Sequence, residues 1–451
     1  MEQIARPLQP RRLDTRVPRY TSYPPANHFG SGVGAAEYGD WLAAVPADEA
    51  VSLYVHVPFC RRLCHFCACR TQGTRTAAPV DRYLDHLERE IALVADRLPG
   101  RMSVGHLHLG GGTPTILTPA QTERLRSMID AAFDVAADAE IAVELDPTEI
   151  DEARLDALAA FGINRASIGI QDFDPGVQAA IGREQGVPET LRAAAGLRVR
   201  GVRSLNVDLL YGLPHQTRDS LRRTLDTVAI LKPDRIAIYG YAHVPWVARR
   251  QRLIPADALP GLDDRIGLSD LARRLLTWQG YAPVGIDHFA LPDDDLARAA
   301  EAGTLHRNFQ GYTTDRADTL IGLGASALSR LRQGYAQNAP ATSDWQNRVG
   351  AGTLGTVRGH EMSPEDRIRA EVIERLMCDF EIDLTEATRA APDLLPGLSA
   401  TAAMLAATMP DQVAFDDGVL FLTGRDGTYA RIVAAEFDTY RSPERQYSSA
   451  I

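Results

Sequence analysis

The 451-residue sequence predicts an α/β fold. The expected form is a partial (β/α)6-type barrel with a parallel sheet, plus an N-terminal arm and a mainly helical C-terminal domain. Three observations point there. Between about residues 50 and 245, six short apolar runs alternate with segments of helical periodicity, the pattern of a parallel sheet with right-handed crossovers. Each run is followed by glycine or polar residues, as expected where loops converge at the carboxyl ends of parallel strands. From about residue 360 the alternation gives way to helical patterns over 365–378 and 398–408, then a small hairpin around 413–423. A doubly wound sheet satisfies the same alternation.

Taken in order, residues 1–45 lack periodicity and are rich in Pro and Arg, with PRYTSYPP at 18–25. They read as an extended arm rather than a core element. Strands are expected over 51–56, 104–109, 140–145, 165–170, 204–210 and 235–240. Between the first two, Tyr83, Leu84, Leu87, Ile91, Val94 and Leu98 recur three and four apart, as on one helix face. Leu221, Leu225, Val228 and Leu231 repeat that signal later. Residues 260–335 add a helix, a strand near 282–288 and the loop-like HRNFQGYTT at 306–314. The expected domains are an arm over 1–45, a partial α/β barrel over 46–335 and a mainly helical domain over 336–451.

Bulk properties exclude several function classes. A net charge of −11 argues against nucleic acid or an anionic membrane as the main partner. Residues 1–20 carry Arg6, Arg11, Arg12, Arg16 and Arg19, which break up any signal-peptide core. No run approaches the roughly 20 apolar residues of a transmembrane helix. Four of the five cysteines are clustered, which argues against a disulfide framework and for a reduced, cytoplasmic setting.

That cluster carries the chemistry. Cys60, Cys64, Cys67 and Cys69 lie in YVHVPFCRRLCHFCACR, on the loop after the first strand. Thiolates spaced C-x3-C-x2-C can ligate three irons of a cubic iron–sulfur cluster and leave the fourth open. A zinc site is the competing reading, with His65 among the cysteines, but zinc ligands usually come as two separated pairs. Cys69 would close the cluster as a fourth ligand. The tight C-x-C spacing strains Cys67 and Cys69 against reaching two corners of one cube, which favours Cys60, Cys64 and Cys67.

After the second strand, Gly110-Gly111-Gly112-Thr113-Pro114 lets backbone approach a ligand closely. The third strand ends near Glu144 and Asp146, the fourth near Gln171 and Asp172. The fifth carries Asp208, and Tyr241, Ala242 and His243 follow the sixth. Six polar strand ends suggest one shared pocket. Taken singly, Glu144 and Asp208 read equally well as solvated carboxylates, and Arg183 as a surface arginine. His56, His106 and His108 alternate along strands and read as satisfied strand residues. Cys378 reads as a buried, inert thiol. GLGAS at 322–326 resembles a phosphate loop only loosely, because no Lys follows.

The cysteine loop followed by GGTP resembles the radical S-adenosylmethionine superfamily. The segments PRYTSYP, LYVHVPFCRRLCHFCACR, LHLGGGTPT, VELDPTEI, IGIQDFD, NVDLLYGLP, YAHVP and HRNFQGYTT resemble, more narrowly, the oxygen-independent coproporphyrinogen III oxidase (coproporphyrinogen dehydrogenase) family, over nearly the whole chain. The resemblance implies a [4Fe-4S] cluster on Cys60, Cys64 and Cys67 and two molecules of S-adenosylmethionine. The first would contact Tyr54, Gly111, Glu144 and Leu328. The second would contact Phe66, Gly112, Thr113, Gln171, Arg183, Asp208 and Ala242. Leu328 replaces an isoleucine of the familiar family form, and Ala68 a glycine. The implied reaction converts two propionates of coproporphyrinogen III to vinyls in haem biosynthesis.

Arg19 and Arg307 are the expected partners of substrate carboxylates, and Cys69 is expected to act beyond ligation. The implied reductant is a flavodoxin or ferredoxin, and a monomer is expected. Related haem chaperones and tetrapyrrole-modifying enzymes are the nearest alternative. Chaperone-like relatives usually carry an aromatic at the position of Cys69 and lack a comparable PRYTSYP arm. An iron–sulfur electron carrier, from another class, would need neither the glycine loop nor the ring of polar strand ends.

Overall fold

The computed structural model describes residues 13–424, 427–441 and 447–451. Arg6, Arg11 and Arg12 of the expected arm lie outside these residues. The chain forms two compact units. The first holds Phe29–Pro260 and Asp315–Glu361; the second holds the described residues up to His28, Gly261–Thr314, and those from Met362 onward.

The first unit contains the six predicted strands: β1 (Val51–Val57), β2 (Ser103–Gly111), β3 (Asp134–Leu145), β4 (Arg165–Gln171), β5 (Ser204–Tyr211) and β6 (Arg235–Gly240). They lie side by side in chain order, each parallel to the next. β1 reads VSLYVHV and is buried along its whole length, as strands covered on both faces must be.

The crossovers are helical: α1 (Ala78–Ala95), α2 (Pro119–Ala132), α3 (Glu152–Phe161), the pair α4 (Pro175–Ile181) and α5 (Val187–Val199), and α6 (Arg218–Leu231). Their starts are written in the sequence. Thr118 and Gln121 form a reciprocal capping box on α2, and Asp151 and Thr217 cap α3 and α6. At the ends of α3 and α4, Gly162 and Gly182 take the left-handed conformation that terminates a helix.

The expected linear domain boundaries do not match these units. Strands β7 (Leu320–Leu323), β8 (Leu328–Leu331), β9 (Gly334–Asn338) and β10 (Thr356–Glu361) extend the sheet beyond β1, in the order β10-β9-β8-β7-β1. A cut at 335/336 would pass through β9. β7 is parallel to β1 and the next three pairings are antiparallel. These strands are four to six residues long, too short for periodicity to separate them from loops.

The arm also departs from expectation. Ala35–Ala43 is a helix in the first unit, burying Tyr38, Trp41 and Leu42 at helical spacing. Val17, Tyr20 and Tyr23 are core residues of the second unit, packed with Val372, Leu376 and Phe437. Tyr20 donates to Asp438 at 3.0 Å, and Arg431 donates to the carbonyls of Val17 and Pro18. An aromatic-rich segment without periodicity can still be core when tertiary partners take up its backbone groups.

In the second unit, helices Pro364–Cys378 and Leu395–Thr408 and the hairpin Val413–Leu422 lie where predicted. The strand expected near 282–288 is an antiparallel pair, Ala282–Val284 with His288–Ala290. HRNFQGYTT is a hairpin rather than a loop, pairing His306–Asn308 with Gly311–Thr313. Cys378 is buried beside Tyr312 and Leu296, and burial raises its pKa, as an inert thiol requires. Among the described residues, no helix is long and apolar enough to cross a membrane.

Candidate active site

The cysteine loop leaves β1 through Pro58 and returns beside it. Phe59–Cys60 pairs in parallel with Gln72–Gly73, with Gln72 N–H donating to Pro58 at 2.7 Å. Two other segments hold it. His65 N–H donates to Ile181 at 2.9 Å, and the His65 ring lies where a Cβ on Gly182 would reach, 2.8 Å away. Gln251 Nε2 donates to the Phe66 and Ala242 carbonyls at 2.7 and 3.1 Å. Arg250 donates to Thr71 Oγ1 at 2.8 Å and to the Cys69 carbonyl at 3.3 Å.

The glycine turn docks against this loop. Gly112 N–H donates to Val57 at 2.8 Å and Thr113 N–H to Phe59 at 2.9 Å. A Cβ on Gly112 would stand 2.6 Å from the Phe59 carbonyl and 3.0 Å from Cys60 Sγ, so only glycine fits. Gly111 (φ +115°) donates to Glu144 Oε2 at 3.2 Å. The amides of residues 111–113 are therefore engaged within the protein.

Glu144 also lies 3.1 Å from His108 Nε2. Desolvation pushes its pKa up, but His108 and the Gly111 amide outweigh it, so the carboxylate stays ionised. Tyr54 stacks on His108 and its hydroxyl lies 3.0 Å from His56 Nδ1. His56 is kept neutral by burial; its Nε2 lies 3.1 Å from the Arg70 carbonyl. His106 lies 3.3 Å from Asp315, so all three strand histidines have partners.

Arg183 is not a surface residue. It follows the left-handed Gly182 and is buried, with Nη1 3.1 Å from Asp146 Oδ2 and 3.6 Å from Cys64 Sγ. Its Nη2 donates to the Gly169 carbonyl at 2.6 Å, while its buried Nε has no acceptor among the described residues. Gln171 sits beside it at φ +71°, left-handed backbone that a non-glycine residue adopts only at a cost. Asp208 is clamped: Ser167 Oγ donates to one oxygen at 2.8 Å and Asn206 Nδ2 to the other at 2.8 Å. Phe66 packs on the cluster of Val177, Ile181 and Tyr241. Leu328 begins β8, where Gly322 approaches its backbone so closely that a Cβ would fall 2.2 Å from the carbonyl oxygen.

The structure therefore brings Tyr54, Phe66, Gly111, Gly112, Thr113, Glu144, Gln171, Arg183, Asp208, Ala242, Leu328 and the cysteine loop into the first unit. Arg19 and Arg307 lie in the second. There Arg307 is buried, stacked 4.4 Å over Tyr312, with Nη1 3.9 Å from Asp287 and Nη2 donating to the Arg19 carbonyl at 3.4 Å. GLGAS is no phosphate loop, because the Gly324 amide is taken by Glu90 at 2.5 Å.

Asp146 as the partner of Arg183, Ser167, Asn206, Arg250 and Gln251 escaped the sequence reading as supporting residues. Ser167 and Asn206 had a signal: both are polar in apolar strands, and Asn206 and Asp208 share one face at period two. Gln251 had none.

Residues 54–228 match the radical SAM superfamily. The oxygen-independent coproporphyrinogen III oxidase of Paracoccus denitrificans is 52% identical over 441 residues, 97% of each chain. The Escherichia coli protein of that name is 43% identical over 366 residues, covering 81% of this chain and 80% of its own. This chain belongs to the oxygen-independent coproporphyrinogen III oxidase family. In the solved structures, the coproporphyrinogen III oxidase HemN of Escherichia coli, described as a radical SAM enzyme, superposes with a TM-score of 0.89 at 38% identity. The match covers 95% of this chain and all of that one.

Family membership brings a [4Fe-4S] cluster and S-adenosylmethionine. The donor set fits the cluster. Three thiols lie on one loop, Cys64 beside a guanidinium and Cys60 beside the Thr113 hydroxyl at 3.6 Å. The neighbouring Cys69 thiol lowers the Cys67 pKa, helped by Arg250 and Arg183, and Cys67 raises that of Cys69 in turn. Among the described residues, no three His, Cys, Asp or Glu side chains converge as a single bound ion would require.

Proposed function

We propose that this chain catalyses the anaerobic oxidative decarboxylation of two propionates of coproporphyrinogen III, giving protoporphyrinogen IX. Each propionate loses one hydrogen atom from its β-carbon, releases CO2 and passes one electron to a separate one-electron acceptor, leaving a vinyl group. The observation that carries this reading is the match to relatives of that name along 97% of the chain. When bound, the reduced cluster and S-adenosylmethionine supply a 5′-deoxyadenosyl radical, and the protein's part is to bind, orient and shield.

In this reading Cys60, Cys64 and Cys67 hold the cluster. Tyr54, Gly111, Glu144 and Leu328 form one S-adenosylmethionine site, with the ionised Glu144 offering a fixed acceptor to a cationic or hydroxyl-bearing ligand. Phe66, Gly112, Thr113, Gln171, Arg183, Asp208 and Ala242 form a second. The clamp on Asp208 by Ser167 and Asn206 fixes its carboxylate before any ligand arrives, which lowers the ordering cost of binding. Cys69 is given a role beyond ligation. Arg19 is assigned to a substrate carboxylate; Arg307, which holds the Arg19 carbonyl, positions it. The protein acts as a cytoplasmic monomer supplied with electrons by a flavodoxin or ferredoxin.

The test is anaerobic reconstitution with iron and sulfide, then dithionite reduction with S-adenosylmethionine and coproporphyrinogen III. Vinyl products and 5′-deoxyadenosine should appear together. Formation of 5′-deoxyadenosine without vinyl products would sink the substrate assignment.

A further inference from the structure

The first unit contains a cavity of about 630 Å³ that none of the roles above uses. Phe59, Arg70, Gly73, Arg82, Ser343 and Gln346 are among the residues lining it. Phe59 is the neighbour of Cys60, and Gly73 is its partner across the short parallel pair. The cavity wall is therefore the backbone that carries the first cysteine of the loop, within about one strand spacing (~4.8 Å).

The wall is positive in an otherwise acidic protein. The chain carries −11 overall, yet Arg70 and Arg82 are both exposed at the cavity, and among the described residues neither has an ion pair. The acidic residues nearest in sequence are already engaged. Asp81 accepts from Gln121 at 2.5 Å, Asp85 pairs with Arg124, and Asp344 pairs with Arg348. Beside the cavity, Leu63 is 38% exposed and lies against Gly73. An exposed apolar side chain beside unpaired guanidinium groups suits a transient, electrostatically steered protein contact.

We infer that this cavity and its arginine rim are the docking site of an acidic, low-potential one-electron carrier protein that reduces the cluster. The inference rests on the radical SAM reading of the cysteine loop. One electron leaves the carrier's reduced centre, which is oxidised, and enters the cluster, which is reduced by one electron; no atom is transferred. Charge complementarity selects the acidic partner, and the cavity's place against Phe59 and Gly73 puts that partner on the loop holding the cluster.

The test compares a protein reductant with a small one on the reconstituted holoenzyme. Reduced flavodoxin is the protein probe, dithionite the small one, and Arg82→Glu and Gln346→Glu the variants. Arg222→Glu, on the exposed face of α6, is the charge-matched control. Flavodoxin affinity, measured by titration at low ionic strength, should fall about tenfold in Arg82→Glu and severalfold in Gln346→Glu. Cluster reduction by flavodoxin, followed by its visible absorbance, should slow in parallel. Dithionite should reduce every variant as fully as the wild type, and Arg222→Glu should match the wild type throughout. Unchanged flavodoxin affinity in both rim variants would overturn the docking site. So would a loss of dithionite reduction equal to the loss with flavodoxin. A wild-type holoenzyme that makes no 5′-deoxyadenosine even with dithionite would instead overturn the radical SAM reading beneath it.

Discussion

The near side of the site, at the ends of β1 and β2, and the far side, at β4 and β5, are built on different principles. Near the cysteines the geometry is made by backbone: a glycine turn whose amides donate to the loop, and a 2.6 Å approach that leaves no room for a Cβ. On the far side it is made by side chains, with Asp146 holding Arg183 and Ser167 and Asn206 holding Asp208. Backbone docking fails all at once, whereas side-chain networks lose function in steps. The lesson is that substitutions on the two sides should differ in kind as well as size.

The largest effect is expected on the near side. Serine at Cys60, Cys64 or Cys67 should abolish cluster assembly, read as lost iron and lost visible absorbance, while Cys69→Ser should keep both. A Cys69→Ser protein without a cluster would overturn the ligand assignment. Next, Gly112→Ala should force the loop off the turn, costing about 1–3 kcal/mol by thermal melting together with most cluster occupancy.

On the far side, Asp146→Asn should leave the Arg183 guanidinium buried beside Cys64 without its carboxylate. A cost of about 3 kcal/mol in stability is expected, with the cluster still assembled at reduced yield. Similar loss of cluster in Gly112→Ala and Asp146→Asn would erase the contrast between the two sides.

A further check concerns Glu90, buried in α1 and accepting from Trp345, Asn338 and the Gly324 amide. Burial raises its pKa to about 7 despite those donors. Because the folded form holds the proton more tightly than the unfolded chain, its contribution is most favourable at low pH. That contribution shrinks as pH rises from about 4.5 through 7. The stability of the wild type relative to Glu90→Gln should therefore fall between pH 5 and pH 8 by on the order of 2–3 kcal/mol, measured by denaturant melts. A pH-independent difference would refute the shift. The smallest effect is Ser167→Ala, which removes a donor to Asp208. About 1 kcal/mol is expected, read as a several-fold rise in the KM for S-adenosylmethionine with kcat nearly unchanged.

Legibility followed chain distance. The six parallel strands, the cysteine loop and the glycine turn were readable because their signals are local: apolar runs, helical spacing, and four thiols within ten residues. The short strands β7 to β10 were not, since four to six residues carry too little periodicity. The core role of Val17, Tyr20 and Tyr23 was hidden because their packing partners, Val372 and Phe437, are hundreds of residues away.

Arg183 shows the boundary most clearly. The residues by themselves allowed an arginine in either role, and resemblance alone pointed to the site. Folding places it against Cys64, 119 residues away, and against Asp146. The sequence by itself determined which chemistry the chain can carry, because thiols and backbone-exposing glycines are properties of residue type and spacing. Only the tertiary structure decided which charges are paired and which are left open to a partner. A guanidinium's role is set by what desolvates it and what lies within hydrogen-bond reach. Arg183, buried on Asp146, and Arg82, exposed at a cavity, differ in nothing that their side chains reveal.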